Sequence, residues 1–132
     1  CIVTHNNNSI ESISIEHGLE KNILELSKDI NTIGIDEVQF FNKDIVSICI
    51  ELSKQGKRII ASGLDKDFKG QPFGIMPNLL CEAESVTKLN AICNKCGDYA
   101  YFTKRISDNE KQIVLGESDI YEANCRNCFY NN

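Results

Sequence analysis

Apolar residues recur along the first part of the chain with two different periods. Leu19, Ile23, Leu26 and Ile30 are separated by three or four positions, which predicts an amphipathic helix. The following run TIGI, at residues 32–35, is apolar without interruption and predicts a buried strand. A helix is therefore expected to lead directly into a strand of a covered sheet.

The same order then repeats. Helical spacing returns at Ile45, Ile48, Cys49 and Leu52. Gly56 is expected to end this second helix, and RIIAS at 58–62 predicts a second buried strand. Alternating helices and strands with short connections are typical of a parallel sheet with flanking helices. Ligands of such sheets bind beyond the carboxyl ends of the strands.

Two Cys-x-x-Cys pairs, Cys93 with Cys96 and Cys125 with Cys128, mark the last part of the chain. Two such turns supply four thiolates for a tetrahedral zinc ion, and a set made only of cysteines predicts structural zinc. Gly97 directly follows the first pair, where a turn often needs positive φ. Redox pairs and unligated core thiols are the alternative interpretations. The segments YAYFTKRI and KQIVLG between the pairs predict a zinc-ribbon-like hairpin.

Composition narrows the possible partners. A formal net charge of −5 disfavours binding to nucleic acid. No apolar run approaches the roughly 18 residues of a membrane span, and the first residues do not resemble a secretory signal, so no membrane partner is expected. Seven cysteines are present, and Cys1, Cys49 and Cys81 lie outside the pairs. An odd, uneven set suits a reducing compartment, so a cytoplasmic location is expected.

Two acids follow the first predicted strand. Asp36 and Glu37 at a strand end suit phosphate transfer, because one carboxylate can hold Mg²⁺ while its neighbour deprotonates or orients a hydroxyl. Asp65 follows the second predicted strand. Acids that cap strands are also commonly solvated ends without a role, and both interpretations stay open on this pattern alone.

Four longer segments carry a family resemblance. IDEVQFF at 35–41, SGLDKDFKGQPFG at 62–74, AESVTKLNAICNKC at 83–96 and YEANCRNCFY at 121–130 together resemble the thymidine kinases of the zinc-containing class. The resemblance implies an α/β fold with a P-loop-kinase-like parallel sheet and flanking helices, plus a small C-terminal zinc-ribbon-like lasso domain. The expected domains are residues 1–90, a partial kinase domain, and residues 91–132, the zinc-binding lasso domain.

The resemblance also implies an activity, the transfer of the ATP γ-phosphoryl group to the 5′-hydroxyl of thymidine. Glu37 would be the general base, and Asp36 would lie at the Mg²⁺ position. The residues expected to border ATP and Mg²⁺ are Asp36, Glu37, Val38 and Gln39. Phe68 would stack on the thymine ring. The other residues expected to contact thymidine are Leu64, Thr103, Tyr121 and the lasso residues Gln112, Ile113, Val114, Leu115 and Gly116. A homotetramer and feedback inhibition by thymidine triphosphate are implied as well.

The sequence departs from the family pattern at one place. No G-x-x-x-x-G-K-[ST] motif occurs in the chain, so the N-terminal phosphate-binding segment is expected to be missing. Two other functions stay open, a different P-loop nucleotide hydrolase with a zinc ribbon and a non-catalytic zinc-ribbon interaction module. Without the resemblance, Phe68 and Tyr121 would be interpreted as core aromatics and Thr103 as an ordinary strand residue. Lys104 with Arg105 is open to two interpretations, a phosphate contact and, more often, a solvated strand end.

Overall fold

The computed structural model describes residues 2–3, 8–106 and 121–131. The chain forms two compact units, Cys1–Ser62 and Gly63–Asn132. The elements of the first unit are β1 (Ile2–Val3), β2 (Ser9–Ile10), α1 (Asn22–Leu26), β3 (Thr32–Ile35), α2 (Asp44–Lys54) and β4 (Arg58–Ala61). A short 3-10 turn, Val38–Phe40, lies between β3 and α2. No helix in the described part of the chain has the length and apolar character needed to cross a membrane.

A parallel strand pair is the framework of the first unit. β3 and β4 run parallel in a register that pairs Thr32 with Arg58 and Ile35 with Ala61. This confirms the two predicted strands and their predicted direction. The predicted burial of these strands is wrong for the described residues, because Ile35 is their one buried residue and Ile60 is 50% exposed. The larger P-loop-kinase-like sheet stays a prediction. The buried apolar residues of this unit come from α1, β3, the 3-10 turn and α2, and are Ile23, Ile35, Val38, Ile45, Ile48, Cys49 and Leu52.

Helix α2 is the longest helix among the described residues and ends as the sequence predicts. Gly56 has a φ of 80°, a conformation that favours glycine. Its N–H donates to the carbonyl of Ser53, and the Lys57 N–H donates to the carbonyl of Leu52. These two bonds form a Schellman motif, which turns the chain out of the helix and into β4.

Helix α1 is shorter than the apolar spacing predicts. It ends at Leu26, and of the four apolar residues of the pattern only Ile23 is buried. The ammonium group of Lys57 explains the early end, because it donates to the carbonyls of Ser27, Lys28 and Ile30 at 2.8 to 3.0 Å. Those carbonyls turn toward Lys57 and do not continue the helix.

A buried carboxylate joins the start of α1 to the start of α2. Glu20 is 1% exposed. Its Oε2 accepts a hydrogen bond from Asn42 Nδ2 at 2.8 Å, and its Oε1 accepts one from the Asn42 backbone N–H at 3.1 Å. Asn42 Oδ1 in turn accepts from the N–H of Asp44, the first residue of α2. The acid therefore orients the side chain that caps the long helix.

The second unit consists of short elements. Their bounds are α3 (Met76–Glu82), β5 (Ala91–Ile92), β6 (Tyr99–Ala100), β7 (Phe102–Arg105), β8 (Tyr121–Asn124) and α4 (Arg126–Tyr130). β5 pairs antiparallel with β6, and β7 pairs antiparallel with β8. β5 covers only two residues, and the single predicted strand YAYFTKRI is divided at Tyr101.

The predicted hairpin needs one correction among the described residues. Strand β7 pairs with Tyr121–Asn124, directly before the second cysteine pair. The segment KQIVLG, which was expected to form the second strand, lies outside the described residues. The domain boundary at residues 90 and 91 stays a prediction.

Charge removal at Glu20 tests the buried link between the helices. A Glu20→Gln substitution places an amide donor against a site that holds two donors of Asn42, so we expect a loss of about 1–3 kcal/mol in the free energy of unfolding. Denaturant unfolding at neutral pH measures this loss. Glu16→Gln, a change at an exposed neighbour, is the control.

The same pair of variants has a pH signature. Burial raises the pKa of Glu20, but other groups lower it by a larger amount, so the pKa lies below 4.5. These groups are the backbone N–H groups of Glu20, Asn42 and Gly18 and the charge of His17. The lowered pKa contributes stability that is present above about pH 4.5 and is lost as the pH falls through the folded-state value. Glu20→Gln should therefore weaken the acid dependence of unfolding. An unchanged acid dependence would contradict this assignment.

Candidate functional site

Four cysteine sulfurs converge in the second unit. The Sγ atoms of Cys93, Cys96, Cys125 and Cys128 all lie within 4.8 Å of one another. The Cys96 and Cys125 sulfurs are 3.6 Å apart. Zinc–thiolate bonds of about 2.3 Å in a tetrahedron place sulfurs about 3.8 Å apart, whereas a disulfide needs about 2.05 Å. The separation therefore fits shared ligands of one zinc ion and does not fit a disulfide.

Local backbone structure holds each cysteine pair. Gly97 has a φ of 78°, as its position predicts, and its N–H donates to the Cys93 carbonyl at 3.0 Å. The second pair begins α4, where the Cys125 sulfur accepts from the Cys128 N–H at 3.4 Å. An N–H of Asn94 also donates to the carbonyl of Ala123, which joins the two pairs through the backbone.

The thiols of the cluster differ in acidity. The backbone N–H of Cys125 lowers the pKa of Cys93 to about 6, so this sulfur is a thiolate near neutral pH. The neighbouring Cys96 thiol and burial raise the pKa of Cys128 to about 12. Protein groups alone therefore do not stabilise four thiolates together. A bound divalent cation would stabilise all four as thiolates, which is how thiolate metal sites form.

The carboxyl end of the parallel pair carries the predicted acids. Asp36 follows β3, and its Oδ1 accepts from the Glu37 N–H at 3.0 Å and from Ser62 Oγ at 2.6 Å. The Asp36 side chain is exposed, and among the described residues both of its hydrogen bonds are made by Oδ1 and none by Oδ2. A carboxylate oxygen beside a hydroxyl is a donor set that Mg²⁺ accepts, directly or through water.

Glu37 has an unusual backbone conformation. Its φ and ψ are 51° and 40°, and it is the one described residue other than glycine with positive φ. This conformation costs about 1–2 kcal/mol for a residue with a side chain. The side chain of Gln39, which is buried, donates from Nε2 to Glu37 Oε2 at 2.5 Å. The strained backbone and this hydrogen bond fix the carboxylate at an exposed position.

Three of the predicted nucleoside-contacting residues come together in the second unit. Arg105 and Tyr121 are directly paired across β7 and β8, and Thr103 lies two residues before Arg105 on the same face. Arg105 Nη2 donates to the Tyr121 hydroxyl at 2.7 Å, and its guanidinium carbon lies 3.7 Å from the Phe68 ring centroid. Phe68, Thr103 and Tyr121 therefore share one surface, with Arg105 between two of them.

Other predicted residues lie elsewhere or are not described. Leu64 belongs to the second unit and is 46% exposed. Asp65 forms ion pairs with Lys88 at 2.7 Å and Lys66 at 3.6 Å. Burial raises the pKa of Asp65, but the two lysines lower it by a larger amount. The net pKa of Asp65 is therefore below its ordinary value. The lasso residues Gln112, Ile113, Val114, Leu115 and Gly116 lie outside the described residues.

Arg105 is the residue that the sequence interpretation missed. A solvated strand end was expected, but Arg105 is 8% exposed, so that prediction is wrong. Arginine at a strand end is usually solvated. Arg105 is buried here because it contacts the Phe68 ring and the Tyr121 hydroxyl. Alternation along β7 could have placed Arg105 on the face of Thr103, but the stacking on Phe68 required the structure.

The sequence as a whole is similar to known proteins. A family model described as thymidine kinase matches residues 1–129. The chain belongs to the thymidine kinase family. A thymidine kinase of Bacteroides thetaiotaomicron is 45% identical over 128 residues, which cover 97% of this chain and 63% of that protein. A thymidine kinase of Rhodothermus sp. is 41% identical over 97% of this chain and 59% of that protein.

Membership of the thymidine kinase family supports the first of the three functions considered from the sequence. The chain spans about three fifths of the length of these curated relatives. The four cysteines and the family together fit a structural zinc ion.

Zinc content tests the metal centre directly. We expect one tightly bound zinc per chain and its loss in Cys125→Ser, because three thiolates with a hydroxyl do not replace four thiolates. Metal analysis after dialysis gives the stoichiometry. Cys81→Ser, which removes an exposed cysteine outside the cluster, should retain the metal.

Stability should follow metal content, since ligand binding to the folded state is folding free energy. Chelation should lower the thermal unfolding temperature of the unsubstituted chain and leave that of Cys125→Ser unchanged. Retention of one zinc by Cys125→Ser, or a metal-free unsubstituted chain with two disulfides, would contradict the zinc assignment.

Proposed function

We propose that the intact protein is a thymidine kinase that transfers the γ-phosphoryl group of ATP to the 5′-hydroxyl of thymidine. The match of residues 1–129 to the thymidine kinase family is the observation that carries this proposal. The relatives from Bacteroides and Rhodothermus carry the same name. The described residues add a fixed carboxylate at a strand end and an aromatic surface suited to a planar base.

Glu37 is proposed as the general base. The 5′-oxygen of thymidine forms a bond to the γ-phosphorus, the bond from that phosphorus to the bridging oxygen of ATP breaks, and the hydroxyl proton passes to the Glu37 carboxylate. An exposed carboxylate held by Gln39 is suited to this step, because the oxygen that accepts the proton is already oriented. Positioning and electrostatics account for most catalysis of phosphoryl transfer.

Asp36 is proposed to support the phosphates. Its Oδ1 is engaged by Ser62 and by the Glu37 N–H, which orients Oδ2 for Mg²⁺ or a water in its shell. Mg²⁺, when bound, would neutralise charge on the phosphates of ATP. Val38 and Gln39 are buried beneath this end of the strand pair and are proposed to border the nucleotide through the backbone.

The base pocket is proposed to lie on the face shared by Phe68, Thr103 and Tyr121. Stacking on an aromatic ring recognises any planar base, so selectivity must come from fixed donors and acceptors. Leu64 and the lasso segment, residues 112–116, are proposed to complete the pocket. A P-loop-like fold for the first domain, a boundary near residue 90, a homotetramer and inhibition by thymidine triphosphate remain proposals that follow from the resemblance.

A Glu37→Gln substitution tests the base. Glutamine can still accept a hydrogen bond from Gln39 but cannot take the proton, so we expect kcat to fall about 10²–10⁴-fold with the fold retained. Thymidine phosphorylation by the intact, zinc-loaded protein measures the effect. Glu51→Gln, at an exposed position of α2, is the matched control. Full activity in Glu37→Gln would reject the assignment of Glu37.

A Phe68→Ala substitution tests the pocket. Loss of stacking, worth about 1–3 kcal/mol per base, should weaken thymidine binding about 5- to 150-fold. Calorimetry with thymidine and with cytidine, on zinc-loaded protein, gives affinity and selectivity. Tyr99→Ala removes an exposed aromatic outside the proposed pocket and should bind thymidine normally. If Phe68→Ala binds thymidine as tightly as the unsubstituted protein, the Phe68 ring is not part of the pocket.

A further inference from the structure

Arg105 is the buried cation of the second unit that the proposed chemistry does not yet use. It ends strand β7 and is 8% exposed. Its guanidinium carbon lies 3.7 Å from the centroid of the Phe68 ring, which is stacking distance. The same guanidinium donates to the Tyr121 hydroxyl at 2.7 Å. One side chain therefore contacts two residues of the proposed base pocket.

The surrounding structure fixes both partners of Arg105. Tyr121 is its direct neighbour across the β7–β8 pair. Phe68 lies in a loop organised by Asp67, which is buried and whose Oδ1 accepts from the N–H groups of Lys69 and Gln71 at 2.9 and 3.0 Å. The stack therefore joins two segments of the same unit, the loop around Asp67 and the β7–β8 strand pair.

We propose that Arg105 is a positioning residue of the nucleoside site, which holds the Phe68 ring from one face so that the pyrimidine base stacks on the opposite face. This inference rests on the proposed function. The Arg105 guanidinium covers one face of the Phe68 ring at 3.7 Å. A stacked base would need the same space, so it cannot bind on that face. Arg105 itself does not touch the substrate in this arrangement.

Arginine suits this role and lysine does not. A planar guanidinium stacks on a ring while its in-plane N–H groups donate sideways, here to Tyr121. An ammonium group can do one or the other. Lys69 provides the internal comparison, since its Nζ lies 5.5 Å from the same ring centroid on an exposed side chain. It adds positive charge near Phe68 without a stacked plane.

The expected effect is on binding and not on chemistry. A ring that is already immobilised loses less freedom when the base arrives, which favours affinity. Arg105→Lys should therefore raise KM for thymidine about tenfold, the size of one buried cation–π contact, and change kcat less than about twofold. Lys69→Met should leave both constants unchanged.

Steady-state kinetics of the intact, zinc-loaded protein test these values, with zinc content and circular dichroism as checks of folding. A raised KM with unchanged kcat in Arg105→Lys, and normal constants in Lys69→Met, support the inference. Constants equal to those of the unsubstituted protein in Arg105→Lys overturn the inference and leave the proposed function intact. Absence of thymidine binding and phosphorylation in the unsubstituted protein overturns the proposed function, and this inference with it.

A second measurement needs no substitution and stays decisive if Arg105→Lys fails to fold. The ring current of Phe68 should shift the NMR signals of the Arg105 side chain. We expect those signals to keep their shifts when thymidine saturates the protein, because the base takes the other face. Signals that move to unstacked values on saturation would show that the base displaces Arg105, which overturns the inference.

Discussion

The convergence of four sulfurs constrains the second unit more than any other interaction. Two-stranded sheets are marginal in water on their own, and β5–β6 and β7–β8 are both of this kind. Cys93 follows β5, and Cys125 follows β8, so an ion bound by both cysteine pairs joins the two sheets. Cys93, Cys125 and Cys128 also form the buried cluster of this region with Ala100. Metal coordination there replaces the apolar core that so short a segment lacks.

The position of β8 connects the metal centre to the proposed base pocket. Tyr121 and Cys125 are the two ends of the same short segment, and Arg105 is the cross-strand neighbour of Tyr121. If the cysteines hold zinc, its loss would therefore be expected to release the strand that orients Arg105, and with it one face of Phe68. A zinc ion that contacts no substrate can in this way affect substrate affinity, through backbone pairing and one stacked guanidinium.

Sequence patterns predicted the features that depend on neighbours along the chain. The parallel strands, helix α2, its end at Gly56, the positive φ of Gly97 and the cysteine set all follow from local spacing and residue type. The shorter α1 does not, because Lys57, distant in sequence, takes the carbonyls that would continue the helix. The break at Tyr101 and helix α4 depend likewise on pairing and on the cysteine geometry. The burial of Arg105 depends on a ring from another loop.

Cations packed on aromatic rings recur through the second unit and explain how it is held with few apolar residues. Lys66 and Arg126 each lie 5.0 Å from the centroid of Phe102, whose ring also stacks on Phe129 at 4.7 Å. Arg105 on Phe68 is the closest of these contacts and belongs to a buried side chain, so water screens it least. Because both the ring and the hydrogen-bond acceptor stabilise a desolvated guanidinium, Phe68 and Tyr121 contribute to packing in this region as well as to the proposed recognition of the base. A pocket built on such contacts is rigid before the substrate arrives, and that rigidity comes from the same interactions that stabilise the unit.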